Sequence, residues 1–381
     1  MEQSTCAFNV TMKDVGTDHE YNFVLSFYER DKSISLYDVK NKRMFLKRNV
    51  PTEGIEMGAL YIGANITVFS RSLKIVDFAD EKTKRLFTTS RGAGLLLIKP
   101  DSYRNIGQIL DIIYHTPGLS VGRLRMVKFT SDNHHNSSSS ISHHDSAQSF
   151  IALGSSSTTP SSLVGDNCLA VEIVGEDIIA RLHELVGPAD PNDAKQAAPA
   201  SLRAIFGKSK DKNAIHVSSD IGSAKAELAF LFDRSYPYTS VFTHCSVCII
   251  RPHAVASKFA GNILDHILST GLEVSGLRSI SITTEDAADF FESYRTVVSE
   301  YERWVKELSS GPCIVMEVRG DHNIVQTVRE LAGPYDPIIA KQLYPESLRA
   351  KYGIDNVRNA LHVTDIPRDG PLESKFLFSV I

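Results

Sequence analysis

One stretch of this chain occurs twice, and that repeat constrains the fold more than any other feature. Ser201-Leu-Arg-Ala-Ile-Phe-Gly207, continuing to Asn213-Ala-Ile-His216-Val217, returns as Ser347-Leu-Arg-Ala-Lys-Tyr-Gly353, continuing to Asn359-Ala-Leu-His362-Val363. The repeat extends upstream. Leu95-Leu-Leu-Ile-Lys-Pro-Asp101 recurs as Val247-Cys-Ile-Ile-Arg-Pro-His253, each an apolar run stopped by proline, the signature of a buried strand. Ile106, Ile109, Leu110 and Ile113 recur as Ala260, Ile263, Leu264 and Ile267, with the spacing of an amphipathic helix. Val186-Gly-Pro-Ala-Asp-Pro191 recurs as Ala332-Gly-Pro-Tyr-Asp-Pro337. The same elements thus appear twice in one order. A period of about 150 residues is too long for a solenoid unit and implies two homologous domains.

The copies diverge between the helix and the Gly-Pro loop. In the second, Ala287, Phe290, Phe291, Tyr294, Val297, Val298, Tyr301, Val305 and Leu308 predict one long amphipathic helical face. In the first, residues 131–162 are rich in serine and histidine. Such a segment buries too little apolar surface to offset the entropy of ordering, and it reads as a disordered insertion in which only Ser149-Phe-Ile-Ala-Leu153 orders locally.

Ahead of the repeats, Tyr21, Phe23, Leu25 and Phe27 alternate with polar neighbours, and Ile34 and Leu36 resume the alternation after a turn at 29–32. Ile66, Val68, Leu73 and Ile75 form a second such hairpin. Residues 1–90 therefore read as a small closed β domain without a useful helical period, followed by α/β domains at 91–236 and 237–381. Lys40, Lys42, Arg43, Lys47 and Arg48 form a basic cluster, read either as a solvated rim or as a contact for an acidic protein surface.

The chain has 381 residues, a net charge of −4 and no apolar run of membrane-spanning length. Neither nucleic acid nor a membrane is therefore an expected partner. Five cysteines, an odd number, suit reduced thiols better than a disulfide framework, and Cys245 and Cys248 read as core residues of a buried strand.

Arginine, asparagine and histidine at fixed offsets, with thirteen residues from Arg203 to His216 and from Arg349 to His362, suit phosphate chemistry. Arginine offers a planar fork of donors, and a neutral imidazole is a nucleophile. Gly207-Lys-Ser209 is not a P-loop, because the upstream glycine falls at Leu202. The Lys-Pro-Asp strand end, Gly-Pro loop, Ser-Leu-Arg-Ala segment and Asn-x-x-His segment together resemble the nucleoside diphosphate kinase family, over about 290 residues. Leu36-Tyr-Asp-Val-Lys-Asn-Lys-Arg-Met-Phe-Leu-Lys-Arg48 resembles the DM-ten domain, which recurs in ciliary and flagellar axoneme proteins.

These resemblances carry expectations. The fold is α/β (α+β): a small β domain, then two ferredoxin-like domains with antiparallel sheets. The family's reaction passes a γ-phosphate from a nucleoside triphosphate to a nucleoside diphosphate through phosphohistidine, with Mg²⁺ carried by the nucleotide and no metal ligands from the protein. On that pattern His216 and His362 are the catalytic histidines, and Glu227 and Glu373 orient them. Lys99, Arg203 and Asn213 contact nucleotide in the first copy; Arg251, Arg329, Arg349 and Asn359 do so in the second. Both copies depart from the family. The first has His183 for an arginine and Ala189 for a threonine, and its aromatic clamp falls in the insertion, where no counterpart aligns. The second has Arg251 for the strand lysine and Tyr335 for the threonine, with Phe291 and Tyr301 as stand-ins for the clamp. The domain order is that of an axonemal member of the family. It implies tubulin and other doublet-microtubule proteins as partners and a location in the ciliary or flagellar axoneme, cytoplasm and cytoskeleton.

Overall fold

In the computed structural model, all residues are described except 1–4, 14–19, 52, 53, 56, 70, 131–145, 154–158 and 234. Six strands form the N-terminal sheet: β1 Thr5–Lys13, β2 Glu20–Tyr28, β3 Ser33–Asp38, β4 Arg43–Asn49, β5 Asn65–Val68 and β6 Arg71–Phe78. Their order is β4-β3-β2-β1-β6-β5. The sequence's alternation appears directly: Phe23, Leu25 and Phe27 are buried, and Leu25 pairs with Phe8 on β1 and Leu36 on β3. Two expectations fail. Among the described residues the sheet is open, with β4 and β5 at opposite ends, rather than closed. A helix, Glu81–Ser90, also lies within the first ninety residues. Its sequence is too polar to show a period; it docks through Phe87, whose ring sits edge-on to Phe8 at 5.2 Å.

The repeats supply eight more strands: β7 Arg91–Ile98, β8 Leu119–Val127, β9 Cys168–Glu176, β10 Ile215–Val217, β11 Cys245–Ile250, β12 Glu273–Ile280, β13 Cys313–Arg319 and β14 Leu361–Val363. They form one sheet, in the order β10-β7-β9-β8-β12-β13-β11-β14. Numbered within each copy the order is 4-1-3-2, and every strand pair is antiparallel, as a ferredoxin-like fold requires.

The two copies meet at β8 and β12, bridged at Arg125 and Arg278, and through their first helices, Ile106–His115 and Ala260–Ser269. These helices cross where each has glycine: a Cβ on Gly107 would lie 2.2 Å from the Asp265 backbone, and one on Gly261 2.5 Å from the Asp111 backbone. The crossing buries Ile109, Ile113, Ile263 and Ile267 in a single core shared by both copies. Tyr103 of the first copy bonds both the N–H and the C=O of Val274 in the second. Glu317, fully buried, accepts from the N–H groups of Val241 and Phe242 and so ties down the connecting segment.

Two helical expectations are revised. The face expected over 287–308 is broken into Thr284–Phe290, a turn at Glu292–Tyr294 and Tyr301–Leu308, with Val297 77% exposed in the gap. The break lets Phe291, Tyr294 and Trp304 gather at one centre. In the insertion expected at 131–162, Ser146–Ile151 is a helix and Pro160–Ser162 a short 3-10 turn; residues 131–145 and 154–158 lie outside the described residues. The helix is paid for by Phe150, fully buried against Phe129 and Phe230. All five cysteines are buried, and none is in a disulfide.

Candidate active sites

Each histidine sits in the middle of a three-residue edge strand, β10 or β14, beside the first strand of its copy. An alanine with positive φ precedes each strand, Ala214 at 69° and Ala360 at 74°. That conformation costs alanine on the order of 1 kcal/mol. A side chain holds each one there: Asp101 accepts from the Ala214 N–H at 3.1 Å, and His253 accepts through Nε2 from the Ala360 N–H at 3.2 Å.

In the first copy, His216 Nε2 lies 3.1 Å from Glu227 Oε1, and the Ser218 hydroxyl donates to Glu227 Oε2 at 2.6 Å. The carboxylate favours the proton on Nε2, which puts the lone pair on Nδ1. His216 and Glu227 are 1% and 0% exposed. Burial lowers the histidine's pKa and outweighs the opposing pull of Glu227, so the ring is held neutral. In the second copy the contact is looser: His362 Nε2 lies 3.5 Å from Glu373 Oε2, and Thr364 takes the place of Ser218.

The two paired arginines reach the histidine strands. Arg203 donates to the carbonyls of Ile215 and Gly187, and Arg349 to those of Leu361 and Gly333. Each fork braces the Gly-Pro loop against the strand that carries the histidine. Burial lowers both guanidinium pKa values to about 10. The glycines are required: φ is +78° at Gly187 and +81° at Gly333, and a Cβ would lie 2.3 Å from Ser201 Oγ or Ser347 Oγ respectively.

Lys99 is 1% exposed. It donates to Asn213 Oδ1 at 2.9 Å and to Ser162 Oγ at 3.3 Å. Burial lowers its pKa to about 8. Asn213 donates to the carbonyl of Ala189. A cleft of about 230 Å³ opens beside Lys99, Asn213, Ala189 and Ser162. An aromatic neighbour does come from the insertion, contrary to the sequence reading: Phe150 stands edge-on to His216, with centroids 5.4 Å apart.

The second copy replaces Lys99 and Asp101 together. Arg251, 1% exposed, lies 3.3 Å from Glu307 Oε2 and donates to the carbonyl of Val357 at 3.0 Å. His253 Nε2 accepts a bond, so its proton is on Nδ1, which donates to Glu307 Oε1 at 2.6 Å. One carboxylate thus holds both substituted residues. Trp304, one turn before Glu307, stacks over Arg251 at 5.3 Å and donates Nε1–H to the carbonyl of Asn356. Phe290, Phe291 and Tyr294 surround the His362 ring. Tyr301 lies elsewhere, with its hydroxyl on the carbonyl of Ala288. Arg329 is half exposed and faces Asp365, whereas Asn359 donates to Tyr335 O.

Both copies therefore gather the arginine, asparagine and histidine picked out by the sequence. Sequence reasoning missed Phe150, Ser162, His253, Trp304 and Glu307. The chain's single tryptophan, three residues before a glutamate on an amphipathic helix, was the available signal for the last two. Among the described residues, no group of three acids, histidines or cysteines is placed to hold a metal.

A duplicated ferredoxin-like fold, with an acid-held imidazole at the edge strand of each half, agrees with the comparison to known families. The nucleoside diphosphate kinase profile matches residues 93–236 and 244–380, and the chain belongs to that family. It is similar along nearly its whole length to "Nucleoside diphosphate kinase homolog 7" of Rattus norvegicus and of Mus musculus, at 36% identity over 94% of this chain and 89% of each relative. A nucleoside diphosphate kinase of Aquifex aeolicus is 31% identical over 35% of this chain and 93% of its own length. A crystal structure of the Aquifex aeolicus protein covers 36% of this chain and 95% of its own, with a TM-score of 0.34.

Proposed function

We propose that this chain is a structural member of the nucleoside diphosphate kinase family, docked on ciliary and flagellar doublet microtubules and keeping at most residual phosphohistidine chemistry. The observation that carries the reading is the state of the phosphate-binding cations. Lys99 is held by Asn213 and Ser162, and Arg203 and Arg349 by backbone carbonyls. Arg251 is neutralised by Glu307 inside the second site. As placed, each of these cations already has protein partners, and the phosphates of a bound nucleotide would compete with them.

The docking surface in this reading is the outer edge of the N-terminal sheet. β4 and the turn before it carry Lys40, Lys42, Arg43, Lys47 and Arg48, with Met44 and Phe45 exposed among them. A basic edge with apolar side chains suits the acidic surface of tubulin. The DM-ten resemblance supports the location.

The test has two arms. Purified protein should co-sediment with microtubules, weaken with salt, and lose binding when Lys40, Lys42, Arg43 and Lys47 are changed to serine; unchanged binding of that variant would remove the proposed surface. Labelled nucleoside triphosphate should leave little or no acid-labile phosphate on the protein. The enzymatic alternative, an active nucleoside diphosphate kinase, is favoured by one observation, the buried His216–Glu227 pair. It predicts rapid labelling that His216→Ala abolishes.

A further inference from the structure

Lys99 is a buried amine with open space beside it. It lines the cleft of about 230 Å³ from the buried side, next to Ser162 and Asn213, and Lys210 lines the exposed side. Both of its hydrogen bonds go to uncharged acceptors, Asn213 Oδ1 at 2.9 Å and Ser162 Oγ at 3.3 Å. A neutral amine has two N–H groups, enough for these two bonds. The remaining position on Nζ, lone pair or third proton, is left to the cleft.

We propose that Lys99 is a covalent site, whose amine adds to the carbonyl of a small aldehyde bearing a phosphate or carboxylate and holds it as an imine. The Nζ lone pair forms the C–N bond while the carbonyl π pair moves to oxygen. That oxygen then leaves as water, carrying both amine protons, and a C=N bond remains; no oxidant or reductant is needed. The step goes beyond the phosphate contact that the family pattern gives this lysine, and it does not depend on docking through β4.

Size and charge define the ligand. The cleft is smaller than the roughly 300–1,000 Å³ of sites for drug-sized molecules, so the aldehyde is small. The exposed turn that carries Lys210 also holds Lys208 and Lys212 against one acid, Asp211, and so draws an anionic group to the mouth. The second copy has neither part. Ile354, Asn356 and Arg358 stand where the three lysines are, and Arg251, which has no free amine to offer, stands for Lys99. The reaction belongs to the first half alone.

Burial supplies the reactive form by lowering the lysine's pKa to about 8 from 10.5. At about pH 7.4, roughly 20% of Lys99 is then free amine, against about 0.1% of an ordinary lysine. A less basic amine is a weaker nucleophile. With the Brønsted dependence of about 0.5 known for thiols, the net gain in rate is roughly tenfold.

The test incubates the full chain with pyridoxal phosphate, reduces the adducts with borohydride and maps them by mass spectrometry. Lys99 should be labelled roughly tenfold faster than the exposed lysines at about pH 7.4, and its initial rate should rise with pH to a midpoint near 8. Lys210→Ser, a change at an exposed position, should raise the pyridoxal phosphate concentration for half-maximal labelling several-fold and leave labelling by pyridoxal, which lacks the phosphate, unchanged. Label confined to exposed lysines, or a Lys99 rate still rising towards 10.5, would overturn the proposal. Equal effects of Lys210→Ser on both aldehydes would overturn the role given to the anion. Microtubule binding is read by co-sedimentation, so failure of either proposal leaves the other standing.

Discussion

Glu307→Gln probes the second site most directly. At 3.3 Å, with an effective dielectric near 20, the attraction of Glu307 for Arg251 is about 5 kcal/mol before desolvation is counted. Much of that is offset, because both ions are buried. Removing one partner, however, leaves the other buried and charged, at a typical cost of about 3–5 kcal/mol. Glutamine can still accept from His253 Nδ1–H, and Arg251 keeps the Val357 carbonyl, so the expected loss is about 2–4 kcal/mol. The assay is built in: Trp304 is the only tryptophan and lies over Arg251, so its fluorescence during urea unfolding reports this half. A double-mutant cycle with Arg251→Met should return a coupling above about 1.5 kcal/mol. A loss below about 1 kcal/mol for Glu307→Gln, or no coupling, would refute the claim that this carboxylate neutralises the site.

Three further outcomes follow from the geometry. Lys99 titrates near 8 in the fold against an ordinary 10.5, so the unfolded chain binds the extra proton between those values. Stability should therefore rise from pH 8 to 10.5 by up to about 3 kcal/mol, and Lys99→Met should flatten that rise in urea titrations at stepped pH. Phe150→Ala should cost about 3–5 kcal/mol and let water reach His216, raising its pKa towards the usual 6.5 as followed by the imidazole proton resonances. Gly261→Leu should push the crossing helices apart, because even a Cβ there meets the Asp111 backbone, and should expose protease sites in the connecting segment under conditions where the wild type resists.

The sequence made the duplicated fold readable because strand, helix, loop and histidine recur with their periods intact. Its pairing into one sheet was not readable, since the contact rests on glycines at a helix crossing and on a single bridge between β8 and β12. The histidine, its acid and the arginine could be found at fixed offsets. The state of the site could not, because the groups that fill it come from the segment where the copies diverge. There Glu307 compensates for Arg251 and His253 across more than fifty residues, and Phe150 reaches His216 from within a serine-rich stretch whose composition argues against order. Composition averages over a window, whereas one well-seated aromatic ring can order six residues.

The shared sheet has a further consequence. Fusing two kinase-type units end to end makes their association independent of dilution, and it removes the requirement that both faces stay identical. Each half can then specialise without disturbing an exchange of subunits, since none occurs. A serine–glutamate–histidine cluster can persist on one side while the other is given over to an internal ion pair.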